Sequence, residues 1–196
     1  MTLAKSKLTP LVRLATMFGV GNVKTAPGTY GSAVAALLAY PVLLLPMGWI
    51  GLFAGVGILV ILGTRASSAY MEAHRIKEEA VNHDPKHIVV DEWAGQWLTY
   101  SIFHLWLLGI AGNAAAGNAL IDQMGGAPHY LFFGFVLFRF FDIFKPWPIG
   151  TADRYIKGGF GVMLDDLLAA VFAGTVLFAI HLFGPLISGE MMESHV

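Results

Sequence analysis

GSAVAALLAYPVLLLPMGWIGLFAGVGILVILGT, residues 31 to 64, runs for 34 residues without an Asp, Glu, Lys or Arg. A bilayer crossing needs about 20 predominantly apolar residues. The stretch is therefore long enough to cross once with ease, or twice at marginal length. Pro46-Met47-Gly48 in its middle is a turn signal. It predicts a helical hairpin, with Ser32–Leu45 leading out and Trp49–Gly63 returning. An arm of about 15 residues rises only ~22 Å, which suits a re-entrant pair or a locally thinned bilayer.

Two more charge-free stretches, 93–121 and 167–189, have 29 and 23 residues. Across the 196 residues, 56% are hydrophobic and 13% charged, against roughly 25% charged in a soluble domain. The expectation is an all-α, multi-pass helical integral membrane protein of one domain, 1–196. The competing reading is a soluble helical domain with buried core helices, because Pro41, Pro46 and Gly48 cut the first stretch into short pieces. A net charge of −1 and a pI near 6.6 give no field for nucleic acid. The lack of cysteine excludes disulfides, thiolate catalysis and Cys-based zinc sites. No apolar core of signal-peptide length precedes Lys24, so the N-terminus is expected to stay in the cytosol.

The rest of the chain alternates in the same manner. Thr64–Asp91 is the longest polar segment; its first half reads as helix, and NHDP at 82–85 should end it. A helix from about Glu92 to Ile110 leaves again, and a weakly polar loop follows with Asp122 as its one charge. His129–Phe144 returns. Lys145–Asp165 is broken by Pro146, Pro148 and several glycines, and Asp166–Phe183 is a last apolar helix before a tail carrying Glu190 and Glu193. All twelve Lys and Arg fall in segments placed on one side. That asymmetry puts the side inside and gives five crossings, N-terminus in and C-terminus out.

Four motifs stand at the inner boundary: TAPGTYGS (25–32), VVDEWAGQW (90–97), FRFFDIFKPWPIGTADR (138–154) and GGFGVMLDDLLA (158–169). Arg139, Asp142 and Lys145 recur every three residues, which on a helix makes one charged stripe. Together the motifs gather Asp91, Glu92, Asp142, Asp153, Asp165 and Asp166, with Arg139, Lys145 and Arg154 as cations. Ionisable groups against hydrocarbon cost about 3 kcal/mol each, so the set needs partners or a metal. As simple boundary charges they would pair Arg139 with Asp142 and Arg154 with Asp153. Adjacent pairs such as Asp91-Glu92 and Asp165-Asp166 fit poorly with that reading, and oxygen ligands of this kind suit Mg²⁺. In TAPGTYGS, Thr29 and Ser32 would cap a helix over Ala33–Leu45 whose start favours an anion; it is not a Walker A loop. No histidine pair has metal-like spacing, and His104 and His181 read as core residues.

The four motifs, in this order over roughly residues 15–185, resemble the phosphatidylglycerophosphatase A family of bacterial lipid phosphatases. The resemblance implies a Mg²⁺-dependent enzyme of phospholipid biosynthesis in the bacterial inner membrane, its site facing the cytosol. It would convert phosphatidylglycerophosphate to phosphatidylglycerol and inorganic phosphate. Asp91, Glu92, Asp142, Asp165 and Asp166 would then hold metal, with Asp142, Asp166, Arg139 and Lys145 in the chemistry and Lys24, Thr29, Ser32 and Arg154 binding substrate. Attack by water and attack by an aspartate both stay open, as does homo-oligomerisation. The rival classes are a cation-binding membrane transporter, for which no internal repeat is visible, and a phosphatase for a different membrane phosphomonoester.

Overall fold

The computed structural model describes residues 10–45, 47–74, 85–112, 121 and 126–187. All regular structure among them is helical: α1 (Pro10–Ala15), a 3-10 turn (Met17–Asn22), α2 (Pro27–Leu43), α3 (Gly48–Ala73), α4 (Val90–Ala111), α5 (Gly126–Phe144), α6 (Ile149–Tyr155) and α7 (Gly158–Ile187). Three of these, α3, α5 and α7, are long and apolar enough to cross a membrane. Their burial decides between the two sequence readings. In the most apolar windows of α3, α5 and α7 only 28%, 17% and 33% of residues are buried. Core helices of a soluble domain would be covered, whereas here Ile58, Ile61, Phe132, Phe133, Val136, Ile180 and Phe183 face outward. An apolar surface of that extent belongs in lipid.

α2, at 17 residues, and α4, which carries Asp91, Glu92, Gln96 and His104, do not meet the same measure of length and apolarity. α4 is instead the central post, with 12 of its 22 residues buried. Trp97 Nε1–H donates to the Ala35 carbonyl of α2 at 3.0 Å, and the Tyr100 hydroxyl donates to the Leu131 carbonyl of α5 at 2.9 Å. Trp106 Nε1–H reaches Thr175 Oγ1 of α7 at 3.2 Å. His104 Nδ1 lies 2.8 Å from the Tyr100 carbonyl among Phe103 and Tyr130, a core residue as its surroundings in the sequence implied.

The helical hairpin forms, and its second arm is continuous with the helix expected in the first half of Thr64–Asp91. α3 has 26 residues and continues from the apolar arm through Thr64 to Ala73. The polar residues past Gly63 stay helical because Ala66, Tyr70 and Met71 keep an inner face, while Thr64 and Ser68 turn their hydroxyls back to the carbonyls of Val60 and Thr64, at 2.7 and 3.0 Å. The first arm starts at Pro27, not at Ser32, with Ala26 before it in left-handed backbone. Pro is favoured at such a first position because its missing N–H would have had no partner there. α7 likewise starts at Gly158, eight residues before Asp166, and the glycines expected to break the chain lie in its first turns. Gly159 needs no backbone freedom; it allows contact. A Cβ there would overlap the Thr64 carbonyl and the Ser68 hydroxyl of α3. The 82–84 part of the expected break, the loop with Asp122, and Glu79, Glu190 and Glu193 lie outside the described residues.

α2, α4 and α7 begin, and α3 and α5 finish, at one end of the bundle. Ser32 meets Arg139 there, and Gly159 meets Thr64. The five long helices therefore alternate in direction, and everything charged in the four motifs collects at that end.

Candidate active site

The residues ahead of α4 are pinned before the helix begins. Val89 N–H donates to the Ala15 carbonyl at 2.9 Å, His87 Nδ1 lies 2.9 Å from the Gly21 carbonyl, and Ile88, Val89 and Val90 are buried. Asp91 and Glu92 are thereby fixed in the first turn of α4, where the helix dipole favours carboxylates. Asp91 Oδ1 also accepts the Glu92 backbone N–H at 3.1 Å.

The stripe of 139, 142 and 145 is only partly a stripe. Arg139 and Asp142 pair one turn apart on α5, and Arg139 Nη1 lies 3.7 Å from Glu92 Oε1 and 3.4 Å from Ser32 Oγ. Lys145 comes one residue after α5 ends, in left-handed backbone with φ 42°. This turns its side chain to Asp153 of α6, with Nζ 2.8 Å from Oδ1, and to Asp165 of α7. The expected Arg154–Asp153 pair is thus replaced by Lys145–Asp153, and Arg154 is exposed.

These side chains face a cavity of about 530 Å³ lined by Asp91, Glu92, Asp142, Asp153 and Asp166, by Lys86, Arg139 and Lys145, and by Ala26, Pro27 and Gly28 at the start of α2. A Cβ on Gly28 would overlap Glu92 Oε1 and lie 3.2 Å from Arg139 Nη1, so α2 presses its first turn directly onto the charged groups. Thr29 and Ser32 lie inside α2 and do not cap it. Ser32, fully buried, donates its hydroxyl to the Gly28 carbonyl at 3.0 Å. Thr29 and the exposed Lys24 do not line the cavity. Lys86 and Asp153 do, and neither stood among the residues assigned to the site from the sequence. Lys86 is one of four cations in the polar stretch 64–91, and Asp153 was matched to its neighbour in sequence and not to its partner in space.

Two groups of acids place carboxylate oxygens within 4.8 Å of one another: Asp91, Glu92 and Asp166, and Asp142, Asp165 and Asp166. Asp166 belongs to both. Glu92 Oε2 and Asp166 Oδ2 are buried and accept no hydrogen bond. Buried carboxylate oxygens are costly without a donor or a cation, and this donor set of oxygens alone fits a hard divalent cation. If all are ionised, Asp91, Glu92, Asp142, Asp153, Asp165 and Asp166 outnumber Arg139, Lys145 and Lys86 by three charges.

The phosphatidylglycerophosphatase A family profile matches residues 13–181. The chain belongs to the phosphatidylglycerophosphatase A family. It is 33% identical over 186 residues to phosphatidylglycerophosphatase A of Escherichia coli K12, covering 93% of this chain and 92% of that protein. With phosphatidylglycerophosphatase A of Haemophilus influenzae it shares 35% identity over 176 residues, 90% of this chain and 91% of the relative. It is also 33% identical over 169 residues to a protein of Bacteroides thetaiotaomicron named provisionally as a phosphatidylinositol-3-phosphatase, covering 83% of this chain and 87% of the relative. No solved structure matches. The profile's span takes in all four motifs, so membership in the family covers the whole charged end of the bundle.

Proposed function

We propose that this chain is a Mg²⁺-dependent phosphatase that releases the terminal phosphate of phosphatidylglycerophosphate in phospholipid biosynthesis, at the cytosolic face of a bacterial inner membrane. The observation that carries the reading is the buried acidic cavity at the bundle end, with unsatisfied oxygens on Glu92 and Asp166, in a chain of this family.

Arg139 and Lys145 line the cavity from different directions, one from within α5 and one from the turn beyond it. A phosphoryl group held there would meet a guanidinium and an ammonium, which favour the charge spread over its equatorial oxygens. The start of α2 brings the positive end of a helix dipole to the same place. Asp142 and Ser32 hold the Arg139 guanidinium, and Asp153 and Asp165 hold the Lys145 ammonium, so both cations are preorganised before substrate arrives. Asp91, Glu92, Asp142, Asp165 and Asp166 would hold Mg²⁺, which when bound supplies Lewis acidity toward phosphoryl oxygens. The orientation is supported by charge: Arg13, Lys24, Arg65, Lys86, Arg139, Lys145, Arg154 and Lys157 all belong to the segments at the site end, as the positive-inside rule expects for a cytosolic face.

The Bacteroides relative keeps a second substrate in view, a phosphomonoester on an inositol lipid. Phosphate release by the purified protein in detergent tests both. Phosphatidylglycerophosphate should be hydrolysed well ahead of phosphatidylinositol 3-phosphate, activity should vanish with EDTA, and excess Mg²⁺ should restore it. Faster release from the inositol lipid would reassign the substrate, and full activity in EDTA would remove the metal.

A further inference from the structure

The helices that carry Ser32 and Arg139 form a second hollow just beyond that contact. It has a volume of about 590 Å³ and is lined by Ala33, Ala36, Leu37 and Tyr40 of α2 and by Phe132 and Phe135 of α5, among others. The two helices run antiparallel here, since Ser32 near the start of α2 meets Arg139 near the end of α5. Moving away from the charged cavity, Ser32 leads to Ala33, Ala36 and Tyr40 on one wall, and Arg139 leads to Phe135 and Phe132 on the other. Ser32 to Tyr40 is a rise of ~12 Å at 1.5 Å per residue. That is most of one leaflet, roughly 15 Å as half of a hydrocarbon core of ~30 Å. Ala33 and Ala36 are partly buried and small, while Leu37 and Phe132 stand exposed on either side.

From this we infer that the α2–α5 groove holds an acyl chain of the lipid substrate, leading from the charged cavity into the apolar layer. The inference rests on the lipid phosphatase reading and adds where the lipid lies. Succession along the same two helices identifies the occupant: the charged cavity takes in Gly28 of α2 and Arg139 of α5, the groove takes in Ala33 to Tyr40 and Phe135 to Phe132 further along them, and a phospholipid monoester has the same sequence of parts. An acyl chain entering the groove leaves hydrocarbon, not water, so the hydrophobic effect adds little. What the groove contributes is register, since a chain seated along α2 fixes how far its head group reaches toward Arg139 and Lys145.

The test uses the full-length protein in detergent and phosphatidylglycerophosphate with short or long acyl chains. Ala36→Phe fills the groove partway down, below the reach of a short chain. It should lower kcat/KM on the long-chain substrate about tenfold or more and change it on the short-chain substrate by no more than about twofold. Tyr40→Ala opens the far end and should move the preferred chain length upward, which decides the matter if Ala36→Phe fails to fold. Equal losses on both substrates, or an unchanged chain-length profile in both variants, would overturn the inference and leave the groove to bulk lipid. A change in oligomeric mass without a chain-length effect would overturn it in favour of a second copy of the chain. If the unaltered protein released no phosphate from either substrate, the phosphatase reading itself would fall, an outcome distinct from the other three.

Discussion

Asp166 is the one carboxylate common to both acidic groups, and its Oδ2 is buried without a donor. Asp166→Asn keeps the volume and removes a carboxylate from both groups, while Asp142→Asn removes one from a single group and leaves Arg139 with Glu92 and Ser32. If the two groups hold Mg²⁺ as proposed, the loss of a ligand is worth several kcal/mol and each ~1.4 kcal/mol is tenfold in rate, so both variants should lose at least ~100-fold in phosphate release, Asp166→Asn more than Asp142→Asn. Glu72→Gln, exposed near the end of α3, serves as the control and should stay within about twofold. Near-normal Mg²⁺-dependent rates in the two Asp variants would remove these residues from the site. Gly28→Ala should also abolish activity, because the new methyl group displaces Glu92 or pushes α2 off the charged groups. At this scale the sequence was informative wherever a charge sat against an apolar run, since such a charge needs an explanation. Lys86 escaped because nothing local marks it, and Asp153 was gathered with the motif acids but given no role; they join the site through the pinned residues before α4 and the turn after α5.

The same logic separates legible from illegible among the elements. The α2–α3 turn could be placed from Pro46-Met47-Gly48 and helix was expected past Thr64, but that the apolar arm and this helix form one element could not be read, because a change from apolar to polar residues marks where a helix leaves lipid and not where it stops. The start of α7 was hidden by its glycines, which favour loops in isolation and here permit α7 to lie on α3. Gly159→Ala should therefore act on packing: the methyl group meets the Thr64 carbonyl, and overpacking of this kind costs about 1–3 kcal/mol. A lowered unfolding temperature in detergent, with activity falling in step as Asp165 and Asp166 shift with α7, is the expected result; unchanged stability would mean that the two helices separate freely. Lys145 links three elements, and its partners differ in depth. Asp153 is about a quarter exposed and Asp165 is fully buried. Asp153→Asn should cost about 0–1 kcal/mol. Lys145→Met takes the Lys145 ammonium away from the buried Asp165 carboxylate and should cost clearly more than Asp153→Asn, and if Lys145 binds phosphate as proposed it should lower activity as well.

For the whole molecule, the alternating directions of five helices and the placing of the basic residues at one end make a definite topological claim. α2 alone is short, at 17 residues, so the α2–α3 hairpin is where crossing and re-entry must be told apart. The sequence has no cysteine, so one introduced cysteine gives one labelled position. Met47 is exposed at the hairpin turn, and Lys24 is exposed at the site end. In intact cells a membrane-impermeant maleimide should label Met47→Cys and not Lys24→Cys; after lysis it should label both. Lys24 is at the end where the site lies, so its protection places the site in the cytosol. Met47 reactive from outside means that α2 crosses in spite of its length, by local thinning of the bilayer, which costs only fractions of a kcal/mol per Å of mismatch. Met47 reactive only after lysis would mean that the α2–α3 turn does not reach the far side and that five crossings are too many. Labelling of Lys24→Cys in intact cells would invert the protein and leave the cavity facing away from the cytosol.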